Sequence, residues 1–240
     1  MFDHVTIRAA DRGTSERFYD LVLPVVGVES ARSGEHYAVW DDVFSLAQAD
    51  EEQPPTRRLH IAFAAPSRAV VDEFWQVGTE AGHPDDGPPA PRPQYSEDYY
   101  GAFLLDPDGN SVEAVHHDVE RQGIDHLWIG VADVATSKRF YETIAPFAGF
   151  RPGGERQGFV HFSGPHGSFS VVEREPTEYV HVAFPAGDDG TVEAFHRVAT
   201  EAGFRDNGRP GERAEYHPGY YGAFVLDPDG NNVEVVNHNR

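Results

Sequence analysis

The stretch YYGAFLLDPDGNSVEAV, residues 99–115, returns nearly unchanged as YYGAFVLDPDGNNVEVV, residues 220–236. Each copy reads as two apolar runs joined by a tight turn, a β-hairpin. Pro107 suits position i+1 of that turn, and Gly109 and Asn110 tolerate positive φ. The closing run keeps a glutamate, Glu113 in one copy and Glu234 in the other, among apolar neighbours. Working outward, FDHVTI (2–7) matches IDHLWI (124–129), and TSERFYD (14–20) matches TSKRFYE (136–142), both at an offset of 122. LHIAF (59–63) matches VHVAF (180–184), TEAG recurs at 79–82 and 200–203, and the hairpins follow, all offset by 121. Ordered matches at a near-constant offset mean a tandem duplication rather than a solenoid. The expected domains are 1–119 and 120–240, with HDVERQG (117–123) as the join.

Each half reads as strand–helix–three strands, twice over. The helix after HVTIRA takes Thr14 or Ser15 as its expected N-cap, and PSRAVVDEFWQVGTEAG opens on a proline and stops at Gly82. The fold class is therefore α+β: a tandem duplication of paired βαβββ modules forming cupped mixed sheets with helices outside.

Composition narrows the partners. Forty acidic residues against 19 basic ones give a formal charge of −21, which repels phosphate backbones and anionic lipid. Nucleic acid and membranes are not expected as partners. The absence of cysteine excludes disulfides, thiolate ligands and a cysteine nucleophile. No apolar run approaches the ~20 residues of a membrane span, and the opening residues show no secretory signal. The expectation is a soluble, cytoplasmic protein acting on a small molecule.

Three polar residues per half sit inside strands: His4, His60 and Glu113, then His126, His181 and Glu234. They are 56 and 53 residues apart in one copy and 55 and 53 in the other. Strand alternation sends Ile61 and Phe63, Val5 and Ile7, and Val112 and Ala114 toward the helices. His60, His4 and Glu113 then point away from them. Two imidazoles and a carboxylate held on rigid strands suit a divalent metal with positions left open for substrate.

A histidine in the first strand, a second in HIAF, and a glutamate just after DPDGN resemble the vicinal oxygen chelate superfamily. That superfamily contains glyoxalases, extradiol dioxygenases, fosfomycin-resistance transferases and bleomycin-binding proteins. The resemblance covers essentially the whole chain as two consecutive domains. It implies paired βαβββ modules around a divalent ion (Fe, Mn, Zn, Ni or Co) that chelates neighbouring substrate oxygens. In some members the first-strand histidine comes from across a pseudo-dimer interface. That pairing would join His4 to His181 and Glu234, and His126 to His60 and Glu113. Closure within each half stays equally open, as does a monomer against a homodimer.

The implied activity is that of a metal-dependent lyase, isomerase or ring-cleaving dioxygenase acting on vicinal oxygens; the alternative is sequestration of a drug or metabolite, as in bleomycin-resistance proteins. A glyoxalase-type fourth ligand is missing, since the strand before HIAF offers Ser45 and Ala47, and its twin Ser170 and Val172, with Glu173 displaced. The tyrosine of the dioxygenase pattern is replaced by Phe103 and Phe224. His217, in EYHPGYYGAF, matches that pattern's histidine and is the expected acid–base group; Ser96 stands at its place in the first half. One tyrosine of each pair entering the hairpin should face the metal, and Tyr100 and Tyr221 are taken as the catalytic ones. Arg8 suits an anionic substrate, Trp128 a flat one, and His161 lines the presumed wall. His117 and His238 are expected at the strand ends in solvent. Chemistry is expected in the second half, which holds His217, Trp128 and His161.

Overall fold

The computed structural model describes residues 1–118 and 121–240, so the expected boundary between 119 and 120 lies outside the described residues. Four βαβββ runs follow one another. The first comprises β1 (His4–Ala9), α1 (Arg12–Val22), β2 (Ser30–Ser33), β3 (Tyr37–Trp40) and β4 (Phe44–Gln48). The second comprises β5 (His60–Ala64), α2 (Arg68–Glu80), β6 (Asp85–Pro91), β7 (Tyr100–Leu105) and β8 (Ser111–His116). The third runs through β9 (Ile124–Val131), α3 (Val134–Ala148), β10 (Arg151–Arg156), β11 (Phe159–Gly164) and β12 (Gly167–Glu173). The fourth holds β13 (His181–Pro185), α4 (Asp189–Glu201), β14 (Arg205–Glu212), β15 (Tyr221–Leu226) and β16 (Asn232–Asn237). The sheets are mixed and curved, as the duplicated pattern requires.

The chain divides into two compact units: residues Thr6–Trp128, and Met1–Val5 with Ile129–Arg240. The cuts fall inside β1 and β9, so the strand that opens each sequence repeat is shared out between units. In the Thr6–Trp128 unit, β8 pairs parallel with β5 at Ala62↔Glu113, and β9 pairs antiparallel with β5 at Ala62↔His126. In the other unit, β16 pairs parallel with β13 at Ala183↔Glu234, and the start of β1 lies beside β13, with Asp3 N donating to Ala183 O at 2.8 Å.

Local chemistry sets the helix ends. The α1 cap is Asp11 rather than Thr14 or Ser15: the Asp11 carboxylate accepts from Thr14 N at 3.1 Å and from the Thr14 hydroxyl at 2.8 Å. An ionised acceptor satisfies the free amides of the first turn and draws the Thr14 hydroxyl to itself. Ser67 caps α2, and Gly82, at φ 89°, receives the chain as it leaves that helix. Each helix packs an apolar stripe, Phe18, Tyr19 and Val22 on α1 and Phe140, Tyr141 and Ile144 on α3, into its own unit.

The repeated DPDGN turn has a structural reason. Tyr19 and Tyr141 reach down from α1 and α3 and donate to Asp106 Oδ2 at 2.8 Å and Asp227 Oδ2 at 3.3 Å. Asn110 does not take the positive φ expected of it, which falls to Gly109 alone. Its buried side chain instead accepts from Leu59 N at 3.1 Å, and Asn231 accepts from Val180 N at 3.2 Å. Each turn thus fixes the strand entering at His60 or His181 against the strand leaving toward Glu113 or Glu234.

Candidate metal centres

The six polar strand residues come together as two groups: His60, Glu113 and His126, and His4, His181 and Glu234. In each, one ligand atom per residue lies within 4.8 Å of the others. The pairing is therefore across the sequence halves, with the first-strand histidine joining the other half's histidine and glutamate. Each group nevertheless falls wholly inside one compact unit.

In the first group His60 Nε2 lies 2.9 Å from Glu113 Oε2 and 3.3 Å from His126 Nε2, and His126 Nε2 is 3.5 Å from the same carboxylate oxygen. Two ligands ~2.1 Å from one ion at tetrahedral or octahedral angles sit ~3.0–3.4 Å apart. The hydrogen bonds behind the rings fix where the protons are. The Ser111 hydroxyl donates to Asp86 Oδ2 at 2.7 Å, so it accepts from His60 Nδ1 at 3.2 Å. His126 Nδ1 donates to Asp125 Oδ1 at 2.8 Å. With both Nδ1 atoms protonated, both Nε2 atoms of the neutral rings present bare lone pairs to a carboxylate oxygen. Three converging lone pairs repel unless a cation or a proton lies between them, and their spacing fits a divalent ion.

Without an ion, a proton must serve. Burial pushes the Glu113 carboxyl up to about 7, while the His126 charge and the Tyr99 hydroxyl pull the other way. Asp125 is held far below the ordinary range: burial opposes this, but hydrogen bonds from His117 and His126 and the Arg121 charge prevail. Arg121 Nη1 donates to Asp125 Oδ2 at 3.0 Å, and His117 Nε2 stands 3.4 Å from Oδ1.

The second group repeats the plan with different backing. His181 Nε2 is 2.9 Å and His4 Nε2 3.7 Å from Glu234 Oε2. His4 Nδ1 donates to Asp3 Oδ1 at 2.8 Å, leaving Nε2 bare. His181 Nδ1 meets the Asn232 amide at 2.6 Å, and that amide also engages Asn207 at 2.9 Å. With Nδ2 turned to the ring, His181 keeps its proton on Nε2; a half-turn presents Oδ1, moves the proton to Nδ1 and frees Nε2 for a metal. The His4 imidazole is held above its ordinary value: burial opposes this, but the Asp3 hydrogen bond and Glu234 charge outweigh it. This centre is also more open, with His4 and His181 side chains 18% and 21% exposed against 9% and 11% for His126 and His60.

The tyrosines are the clearest correction. Tyr99 and Tyr220, not Tyr100 and Tyr221, reach the centres, donating to Glu113 Oε1 at 2.6 Å and Glu234 Oε1 at 2.7 Å. Burial and the adjoining carboxylates raise both phenols, which remain donors. Tyr100 and Tyr221 lie on the opposite strand face and donate to Asp72 on α2 and Glu193 on α4. Gly101 and Gly222 are glycine for a related reason: a Cβ at either would collide with the Glu113 or Glu234 carboxylate.

The other expected residues scatter. Trp128 stands 5.7 Å from the His60 ring and edge-on to Tyr95 at 5.5 Å, so it belongs to the His60 centre. His217 belongs to the surroundings of the His4 centre, its ring 5.3 Å from Tyr220. The expected grouping of Trp128 with His217 therefore fails, because the two centres exchange first strands. His161 bonds Ser170 at 3.1 Å and Arg8 reaches the Gln48 carbonyl at 3.5 Å; neither belongs to a ligand group. His117 and His238, expected in solvent, face the aspartates that orient His126 and His4. Those aspartates, Asp3 and Asp125, escaped the sequence reading, although the dipeptide Asp-His opens both repeats.

A family model described as the Glyoxalase/Bleomycin resistance protein/Dioxygenase superfamily matches residues 1–114 and again 123–235. The chain belongs to that superfamily. Membership agrees with the βαβββ runs. Among solved structures, glyoxalase I from Zea mays is similar at 17% identity, with 99% of this chain and 92% of that chain covered and a TM-score of 0.69. A protein from Bacillus subtilis, named for a proposed dioxygenase activity, is similar at 11% identity over 100% of this chain and 85% of that chain, TM-score 0.71. At these identities the likeness is one of superfamily fold. No curated protein sequence matches the chain.

Proposed function

We propose that the chain is a divalent-metal-dependent enzyme acting on a small molecule with vicinal oxygens, by lyase, isomerase or ring-cleaving dioxygenase chemistry. The observation that carries this reading is the His60 group, where two imidazole Nε2 atoms and one carboxylate oxygen lie 2.9, 3.3 and 3.5 Å from one another. His60, His126 and Glu113 would hold one ion, and His4, His181 and Glu234 the other, drawn from Fe, Mn, Zn, Ni or Co. A bound ion supplies Lewis acidity toward a substrate oxygen. The chain's own residues would orient the rest. Tyr99 and Tyr220 hold each glutamate by one oxygen and leave the other free for the metal. Trp128 and Tyr95 offer a flat substrate an aromatic lip at the His60 centre, and His217 is the acid–base candidate near the His4 centre. Arg8 and His161 are proposed for substrate contact beyond the ligand groups. Sequestration of a drug finds no comparable observation in its support.

The test is elemental analysis of the full chain purified without chelator, followed by titration with Mn²⁺ or Zn²⁺ and a turnover screen of diketones, hydroxyaldehydes and dihydroxy aromatics. Two metal equivalents and metal-dependent turnover are expected. Uptake below about a tenth of an equivalent would remove the metal reading.

A further inference from the structure

Behind His4 lies a chain of four side chains. His217 Nδ1 faces the Pro218 carbonyl at 2.8 Å, His217 Nε2 faces His238 Nδ1 at 2.8 Å, and His238 Nε2 faces Asp3 Oδ2 at 2.9 Å. Asp3 Oδ1 then accepts from His4 Nδ1. A carbonyl oxygen and a carboxylate can only accept, so His217 Nδ1 and His238 Nε2 both carry protons. The two nitrogens that meet between the rings need one proton more, since bare lone pairs would repel at that separation. Three protons on four ring nitrogens make one positive charge for the pair. The ring planes lie within 19° of one another and the centroids 5.1 Å apart, the separation of two rings joined edge to edge through a shared proton.

We propose that His217 and His238 form a single imidazole–imidazolium pair that serves as the counter-charge of Asp3, and so as the positioning group of the His4 centre. Its counterpart at the His60 centre is Arg121, whose guanidinium bonds Asp125. Ser96 stands where His217 would be and bonds Asp98 instead, so no second pair forms. The groups facing the pair are Asp3, Tyr220, whose hydroxyl is turned to Glu234, and, through Asp3, His4; Glu212 bonds the Gly219 amide on the same loop. One centre thus has a fixed countercharge. The other has one that consists of a single proton shared between two rings. Without that proton Asp3 draws harder on the His4 N–H and makes Nε2 a stronger donor. The proton count stands without any metal; its effect on His4 rests on the metal reading above.

The experiment is imidazole ¹⁵N spectroscopy of the metal-free full chain near pH 7.5. Three protonated nitrogens in the pair are expected, with a coupling across the hydrogen bond between His217 Nε2 and His238 Nδ1. In His217→Ser the coupling should vanish and His238 should appear as a neutral ring protonated at Nε2. Two neutral rings without coupling in the wild-type chain would overturn the proposal, whether or not the variant folds. For the metal-linked consequence, Mn²⁺ binding is followed in a His60→Ala background. Between pH 6 and 8, affinity should rise more steeply with pH when the pair is intact than when His217→Ser has removed it. Parallel profiles would restrict the pair to a structural role. Absence of Mn²⁺ binding in both would count against the metal reading and leave the proton count standing.

Discussion

The His60 and His4 centres are built from the same three strand positions of the repeat, yet they are prepared differently. At the His60 centre every proton is assigned by a partner without a choice: Ser111 between His60 and Asp86, Asp125 between His126 and Arg121. At the His4 centre two partners have a choice, the Asn232 amide beside His181 and the histidine pair beyond Asp3. Duplication therefore kept the ligands and let their supports diverge. The lesson is that metal-site behaviour is written as much in hydrogen bonds behind the ligands as in the ligands themselves.

The largest expected effect comes from removing a ligand. His60→Ala and His181→Ala should each cost one of two metal equivalents, measured after dialysis, with the circular dichroism of the fold retained. If both variants keep two equivalents, the two-centre comparison collapses. Next come the backing carboxylates. Asp125→Asn and Asp3→Asn should weaken metal binding at their own centre by about 10- to 100-fold, the scale for carboxylates that hydrogen-bond a ligating histidine. The Asp125→Asn variant should also lose thermal stability, because an amide cannot accept from both Arg121 and His126 and no longer offsets the guanidinium charge. Equal behaviour at both centres would remove the claimed difference in support.

A pH experiment sharpens the same contrast. Burial pushes the Glu113 carboxyl in the fold up to about 7, above its ordinary value of 4.5. The folded chain therefore holds that proton more tightly than the unfolded chain. Its contribution to stability is full below the unfolded value and is lost as pH rises toward 7. In the presence of chelator, the melting temperature of the wild-type chain should fall over that window more than that of Glu113→Gln. A flat difference between the two would show that Glu113 is already ionised in the metal-free fold. The smallest effect is expected from exchanging the supports. Asn232→Ser should tighten metal at the His4 centre by a few-fold, and Ser111→Asn should loosen it at the His60 centre by about as much. Opposite signs would mean that the amide is not the weaker support.

Much of this was legible in the sequence. The repeated hairpin announces the duplication, and polar residues on the wrong face of apolar strands announce all six residues that gather into the two groups. The tyrosine face was legible too: Phe103 pairs directly with Glu113, so Gly101 and Tyr99 share its face and Tyr100 does not. Only the parity count along that strand was missing. Which histidine joins which glutamate was not legible, because both pairings satisfy the same periodicity. That choice is made by β9 pairing with β5, and by β1 lying beside β13, neither of which leaves a local mark. Arg121 and the His217–His238 pair were equally hidden, since they fall where the two repeats differ.

The exchange of first strands also bears on how the chain is made. The farthest contact within the His60 group, His60 to His126, spans 66 residues, whereas His238 reaches back 235 residues to Asp3. During synthesis the His60 centre can assemble once β9 has emerged, while the His4 centre waits for β16. Closing the longer loop costs about 1 kcal/mol more in chain entropy. The enclosed centre can thus assemble while β16 is still unmade, and the adjustable one only after it.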